Sequence, residues 1–202
     1  KYPSISKFDT SLLCNNFNKN CIGTKLNSNR KGGFWHNCSK RLFILYEFMK
    51  IYNIENCIHI ENDVLLYTKF YSNQFTKNKI YLTMDCPNRC IPGIIYIPQY
   101  KLLEKLINNY NYSRNDMFNM AKFFQNNRNI CETFPIINMN KRYNSLTIYN
   151  SNFNKFNSIF DAAAIGQYVG GIDPNNNDGD TVGFINETCC IKYNNYKFEW
   201  VK

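Results

Sequence analysis

The chain has 202 residues and carries 24 Lys and Arg against 15 Asp and Glu, a net charge of +9. With 44% apolar and 19% charged residues, it is globular in composition and long enough to bury a core without disulfide staples, which excludes wholesale disorder and points to a single domain over 1–202. The positive balance favours an anionic partner, but Lys and Arg are scattered with no run of five, so a phosphate-bearing small molecule is favoured over nucleic acid.

Residues 1–36 are polar and poorly periodic. From Asn37 the pattern changes: Leu42, Leu45, Tyr46, Met49 and Tyr52 keep a helical rhythm, with Asn37 or Ser39 available to cap it. Cys57 to Ile60 predicts a short buried strand that runs straight into Glu61-Asn62-Asp63. Ile80 to Met84 and Ile94 to Ile97 predict two more strands. Pro98 opens a helix with Leu102, Leu103, Leu106 and Ile107 on one side, and a further amphipathic helix fits Asp116 to Gln125. Ser145 to Tyr149 is strand-like, and Phe160 to Val169 is helical up to Gly170-Gly171. A polar loop covers 173–180, and short strand-like pieces follow at Gly183–Asn186 and Phe198–Val201. Strands alternating with helices predict an α/β fold with a mostly parallel sheet.

Several features are uninformative or exclude a class. The 34 Asn and four Ala match an AT-rich codon bias. Nine cysteines are an odd number without a C-x-x-C pair, and only two His accompany them, so a zinc site lacks its usual spacing; reduced thiols in an intracellular compartment are expected. No apolar run reaches 18 residues, so no membrane span is expected, and the first residues carry no basic-then-apolar signal peptide.

The chemistry concentrates in His59-Ile60-Glu61-Asn62-Asp63. Two carboxylates at i and i+2 on extended backbone point to one face, at the carboxyl end of a strand, where open α/β sheets collect ligands. Hard oxygen donors suit Mg²⁺ or Mn²⁺ and leave positions open for phosphate oxygens and water. The competing interpretation is a solvated acidic turn. His59 alternates with the carboxylates across the strand and is better explained as a core imidazole bonded to backbone than as a ligand. Asn115 and Asp116 are best explained as a helix cap.

The segments FWHNCSKRLFILYEFMK and NCIHIENDVLLY resemble the core of GT-A nucleotide-sugar glycosyltransferases, and more narrowly the glycosyltransferase-like proteins of giant viruses. PGIIYIP, NDMFN, FDAAAIGQYVGG and GFINE extend the likeness over roughly residues 34–187. The resemblance implies a GT-A, Rossmann-like sheet flanked by helices. It further implies a metal (Mn²⁺ or Mg²⁺) held by Glu61 and Asp63, a UDP-sugar donor with UDP-GlcNAc leading, and a glycan or protein acceptor. A host-cytoplasmic or virion location goes with it. Arg41 is expected to reach the diphosphate or brace the acidic motif, a surface ion pair being the alternative. Asp85 and Gln167 are expected on donor-sugar hydroxyls, and Asp161 as the base, with turn-capping and helix-capping as the alternatives for the two carboxylates. Two departures stand out. The only His are His36 and His59, both upstream of where such enzymes often place a third metal ligand. The usual first strand is also hard to find before residue 34. Either flanking segments are lacking or the acidic motif holds the metal mainly by itself. The alternative function is a catalytically weak nucleotide-sugar or glycan-binding module.

Overall fold

The computed structural model describes residues 8–10, 13–62, 64, 66, 69–136, 148 and 150–160, with Asp85 and Cys86 described by their backbone alone. In chain order these form α1 (Asn15–Cys21), α2 (Phe34–Ile51), β1 (Glu55–Ile60), β2 (Ile80–Cys86), β3 (Arg89–Gln99), α3 (Tyr100–Asn108), α4 (Asp116–Asn126), β4 (Cys131–Thr133) and the single turn α5 (Phe153–Phe156). The expected elements at 145–149, 160–169, 183–186 and 198–201, and the polar loop at 173–180, lie wholly or almost wholly outside the described residues.

The fold is α/β with a four-stranded sheet in the order β1-β3-β2-β4. The expectation of a mostly parallel sheet is corrected: the sheet is mixed. β1 pairs with β3 antiparallel, β2 pairs with β3 antiparallel, and β2 pairs with β4 parallel. The reason is local. Only Pro87 and Asn88 separate β2 from β3, and a two-residue connection makes a hairpin, whereas a parallel neighbour needs a crossover of a dozen residues or more. β1, β2 and β4 therefore run the same way and β3 runs against them, so the carboxyl ends of β1 and β2 share one edge of the sheet.

Side-chain alternation sorts the sheet into two faces. Leu82, Met84, Ile95 and Ile97 enter the larger core with Leu42 and Met49 of α2, Leu103 and Leu106 of α3, and Met120 and Phe124 of α4. Tyr81, Ile94 and Tyr96 face the other way, into an aromatic cluster with Phe75, Phe134, Phe156 and Phe160. Phe75 stacks on Tyr96 with ring centroids 3.9 Å apart. Because both faces are covered, the central strand β3 is a continuous apolar run rather than an alternating one.

Three boundaries differ from expectation. α2 begins at Phe34, directly after Gly33 at φ 77°, so neither Asn37 nor Ser39 caps it, and Ser39 is fully buried within the helix. Pro98 still belongs to β3, because Glu55 of β1 pairs with Gln99 and carries the ladder past it; α3 opens at Tyr100. Helix α1 was invisible in a stretch with little periodicity; two buried residues, Phe17 and Cys21, anchor it. α4 starts where expected, with Asn115 accepting a hydrogen bond from Phe118 N at 3.0 Å. No helix among the described residues is long and apolar enough to cross a membrane.

Candidate functional site

The carboxyl end of β1 meets α2 and the first turn of α4. Residues 57 and 59 of β1 share a face; Cys57 packs into the helix-side core. Glu61 continues that parity as the strand ends, and its backbone N–H donates to Gly93 O at 2.9 Å. Its Oε1 accepts from Arg41 Nη1 of α2. The other arm of the same guanidinium, Nη2, donates to Asp116 Oδ2 at 2.6 Å. One arginine thus links the end of a strand to the start of a helix.

Asp116 is the better buried of the two carboxylates. Its side chain is 1% exposed, against 26% for Glu61 and 23% for Arg41. Its position is over-determined by the loop before it. Asn115 is the helix cap, which frees Asp116 to sit at the first helical position, where the helix dipole favours a negative charge. Asn119, itself buried, receives Asn111 N on Oδ1 at 2.8 Å and donates through Nδ2 to Asn111 O at 3.0 Å and Asn115 O at 2.9 Å. That stitch holds the 111–115 loop against α4 and delivers Asp116 to Arg41.

Polar atoms without partners gather here. Arg41 Nε, Asp116 Oδ1 and His59 Nε2 are all buried with no hydrogen-bond partner among the described residues. Asn18, Ser39, Thr83 and Tyr110 also carry unpartnered buried polar atoms among the described residues, so the three here do not by themselves set this place apart. Burial, reinforced by the charge of Arg41, lowers the His59 imidazole to a pKa of about 4 and keeps it neutral. The sequence placed His59 on the opposite side from the carboxylates. It shares the parity of Glu61, because 59 and 61 differ by two residues, and its Nε2 has no hydrogen-bond partner among the described residues. Burial first, then the charge of Asp116, raises the Cys38 thiol pKa.

Glu61, Asp116 and Arg41 sum to one net negative charge inside a chain of net +9. Gly93 lies beside Glu61: a Cβ there would stand 3.8 Å from Glu61 Oε2 and 3.4 Å from Val64 Cγ2, so a longer side chain would crowd the carboxylate.

The expected site residues divide into two groups. Glu61 and Arg41 are brought together, with Arg41 paired to both Glu61 and Asp116. Asp85 lies near the carboxyl end of β2, on the same edge of the sheet as Glu61; its side chain lies outside the described residues. Asp63, Asp161 and Gln167 also lie outside the described residues. Asp116 is the residue the sequence undervalued. The only signal was an acidic residue directly after an Asn cap, a pattern that most helix starts share. Among the described residues no three His, Cys, Asp or Glu gather as a ready metal cage. Comparison with protein-family models, with curated proteins and with solved structures finds no match to this chain.

Proposed function

We propose that the chain is a GT-A-type, metal-dependent glycosyltransferase that moves a sugar from a UDP-sugar, with UDP-GlcNAc as the leading donor, to a glycan or protein acceptor. The observation that carries this reading is the Asp116–Arg41–Glu61 bridge at the carboxyl end of β1. It sets a strand-end carboxylate beside a guanidinium, the pair of charges that a cation-bound diphosphate requires.

The donor set suits a divalent ion. Glu61 would be a hard oxygen ligand, 26% exposed and able to exchange its Arg41 contact, and Asp63, two residues later in the sequence, would be the second. When bound, Mn²⁺ or Mg²⁺ would offset the charge that builds on the departing diphosphate. Arg41, anchored from behind by the buried Asp116, keeps one arm on the Glu61 side from which it can turn to a phosphate oxygen; its planar fork suits that contact. Asp85 and Gln167 are proposed to hold donor-sugar hydroxyls. Asp161 is proposed to take the proton of the acceptor hydroxyl if the anomeric centre inverts.

The binding-module alternative has one observation in its favour: Arg41 already engages the carboxylate that the metal would need. UDP release with Mn²⁺ and a panel of UDP-sugars separates the two. The expected result is Mn²⁺-dependent release that Asp63→Ala abolishes while the fold survives. Binding of Mn²⁺ and UDP without release would favour the module. Release that is unchanged by Asp63→Ala would overturn the metal assignment.

A further inference from the structure

A concavity lies on a different side of α2 from the Glu61 bridge. Helix α1, the loop that follows it and the first two turns of α2 flank a half-open hollow of about 240 Å³, lined by Asn18, Cys21, Asn27, Ser28, His36 and Lys40 among others. The loop that walls it is held by its own hydrogen bonds. Thr24 Oγ1 donates to Cys21 O at 2.8 Å and accepts from Leu26 N at 3.1 Å. Asn27 Oδ1 accepts from Asn29 N at 3.0 Å, and Arg30 N donates to Asn27 O at 3.0 Å. Gly33, at φ 77°, lets the loop close on α2: a Cβ there would stand 3.1 Å from Ser28 O.

The lining offers an ammonium, a hydroxyl, two carboxamides and an imidazole, and contains no carboxylate. Lys40 makes no ion pair and no hydrogen bond among the described residues, although it is partly buried. Asn27 has its Oδ1 occupied by Asn29, so its Nδ2 donor is what it can give a ligand. Residues 13–40 carry Lys19, Lys25, Arg30, Lys31 and Lys40 and not one Asp or Glu. Glu47 of α2, the nearby carboxylate, accepts from Cys14 N at 3.0 Å and, like Lys40, acts on the Cys14 thiol, yet it makes no ion pair with Lys40. Among the described residues Lys40 is therefore a partly buried cation without a direct ion-pair partner, in a hollow lined by hydrogen-bond donors, which suits an anion. Lys40 and Arg41 are neighbours in a helix and so lie about 100° apart around its axis, which separates this hollow from the Glu61 bridge.

We propose that this hollow binds a phosphate monoester on a small polar body, with Lys40 as the charge partner and Ser28 and Asn27 as hydrogen-bond donors. The volume exceeds what a bare oxyanion needs and leaves room for a sugar-sized group. This site is independent of the proposed transferase reaction.

The test is amide chemical-shift titration of the ¹⁵N-labelled protein, free of divalent ions and at constant ionic strength, with inorganic phosphate and with glucose 6-phosphate. The expected result is saturable shifts centred on Ser28, His36 and Lys40, tighter for glucose 6-phosphate. Lys40→Gln should weaken binding about tenfold or more, the scale of one charge-assisted hydrogen bond. Ser28→Ala should weaken it by less. Exposed Lys101→Gln and Glu61→Gln should leave it unchanged, which separates this site both from the overall positive charge and from the β1 edge. Spectral dispersion reports that each variant is folded. Shifts that never saturate, equal losses in Lys40→Gln and Lys101→Gln, or wild-type affinity in both Lys40→Gln and Ser28→Ala would each overturn the proposal.

Discussion

Asp116→Asn keeps the shape of the side chain and most of its hydrogen-bonding capacity but removes its charge. In the native fold that carboxylate is 1% exposed and takes Arg41 Nη2 at 2.6 Å. Removing one partner of a fully buried ion pair costs about 3–5 kcal/mol, because the other charge stays buried without compensation. Arg41 retains Glu61 as a second partner and is 23% exposed, so part of that penalty is relieved by water. The expected loss is about 2–3 kcal/mol, including about 0.3–1 kcal/mol of charge–dipole interaction at the start of α4. For a chain of this size that lowers Tm by about 4–12 °C. Urea and thermal unfolding followed by circular dichroism measure it directly. A double-mutant cycle with Arg41→Gln isolates the pair: the double variant should lose clearly less than the two single losses added. A loss below about 0.5 kcal/mol in Asp116→Asn, or strict additivity in the cycle, would refute the argument that Asp116 anchors Arg41.

Two further outcomes follow from burial. His59 is held neutral in the native state, with a pKa of about 4, while the unfolded chain protonates it near the ordinary value of about 6.5. Between those values the unfolded state binds more protons, so stability falls as pH drops from 7 toward 4, by at most about 3 kcal/mol. Urea midpoints at pH 7 and 4.5 for wild type and His59→Gln check this; equal falls in both proteins would sink it. Burial, the largest cause in each case, pushes the Cys14 and Cys131 thiols up to about 12 and Cys21 to about 11. Their contribution to stability is complete below pH 9 and is lost as pH climbs from there toward these values. Thiol labelling at pH 8 should be slow at these three positions until denaturant is added, and rapid native labelling of Cys131 would contradict the burial.

The elements with a strong period were legible before any coordinates. α3 follows from Leu102, Leu103 and Leu106, α4 from its Asn115 cap and apolar stripe, and the strand into Glu61 from an apolar run that meets a charge. Those signals are local, carried by spacing within a dozen residues. The pairing direction of the sheet is not local in the same way. A two-residue link between β2 and β3 could have announced a hairpin, but the apolar cores at 80–84 and 94–97 lie ten residues apart, and the ladder that extends β3 from Arg89 to Gln99 exists only because β1 and β2 flank it. Both carboxylates of the candidate site are plain in the sequence, yet nothing there separates the exposed one from the buried one. Arg41, Glu61 and Asp116 are 20 and 55 residues apart along the chain. Only the packing of α2 and α4 on the same face of the sheet puts one guanidinium between two carboxylates, and burial then turns an ordinary helix-start aspartate into the anchor of the site. Residue types can be read from sequence, but which charges must compensate one another is decided by which of them lose water together.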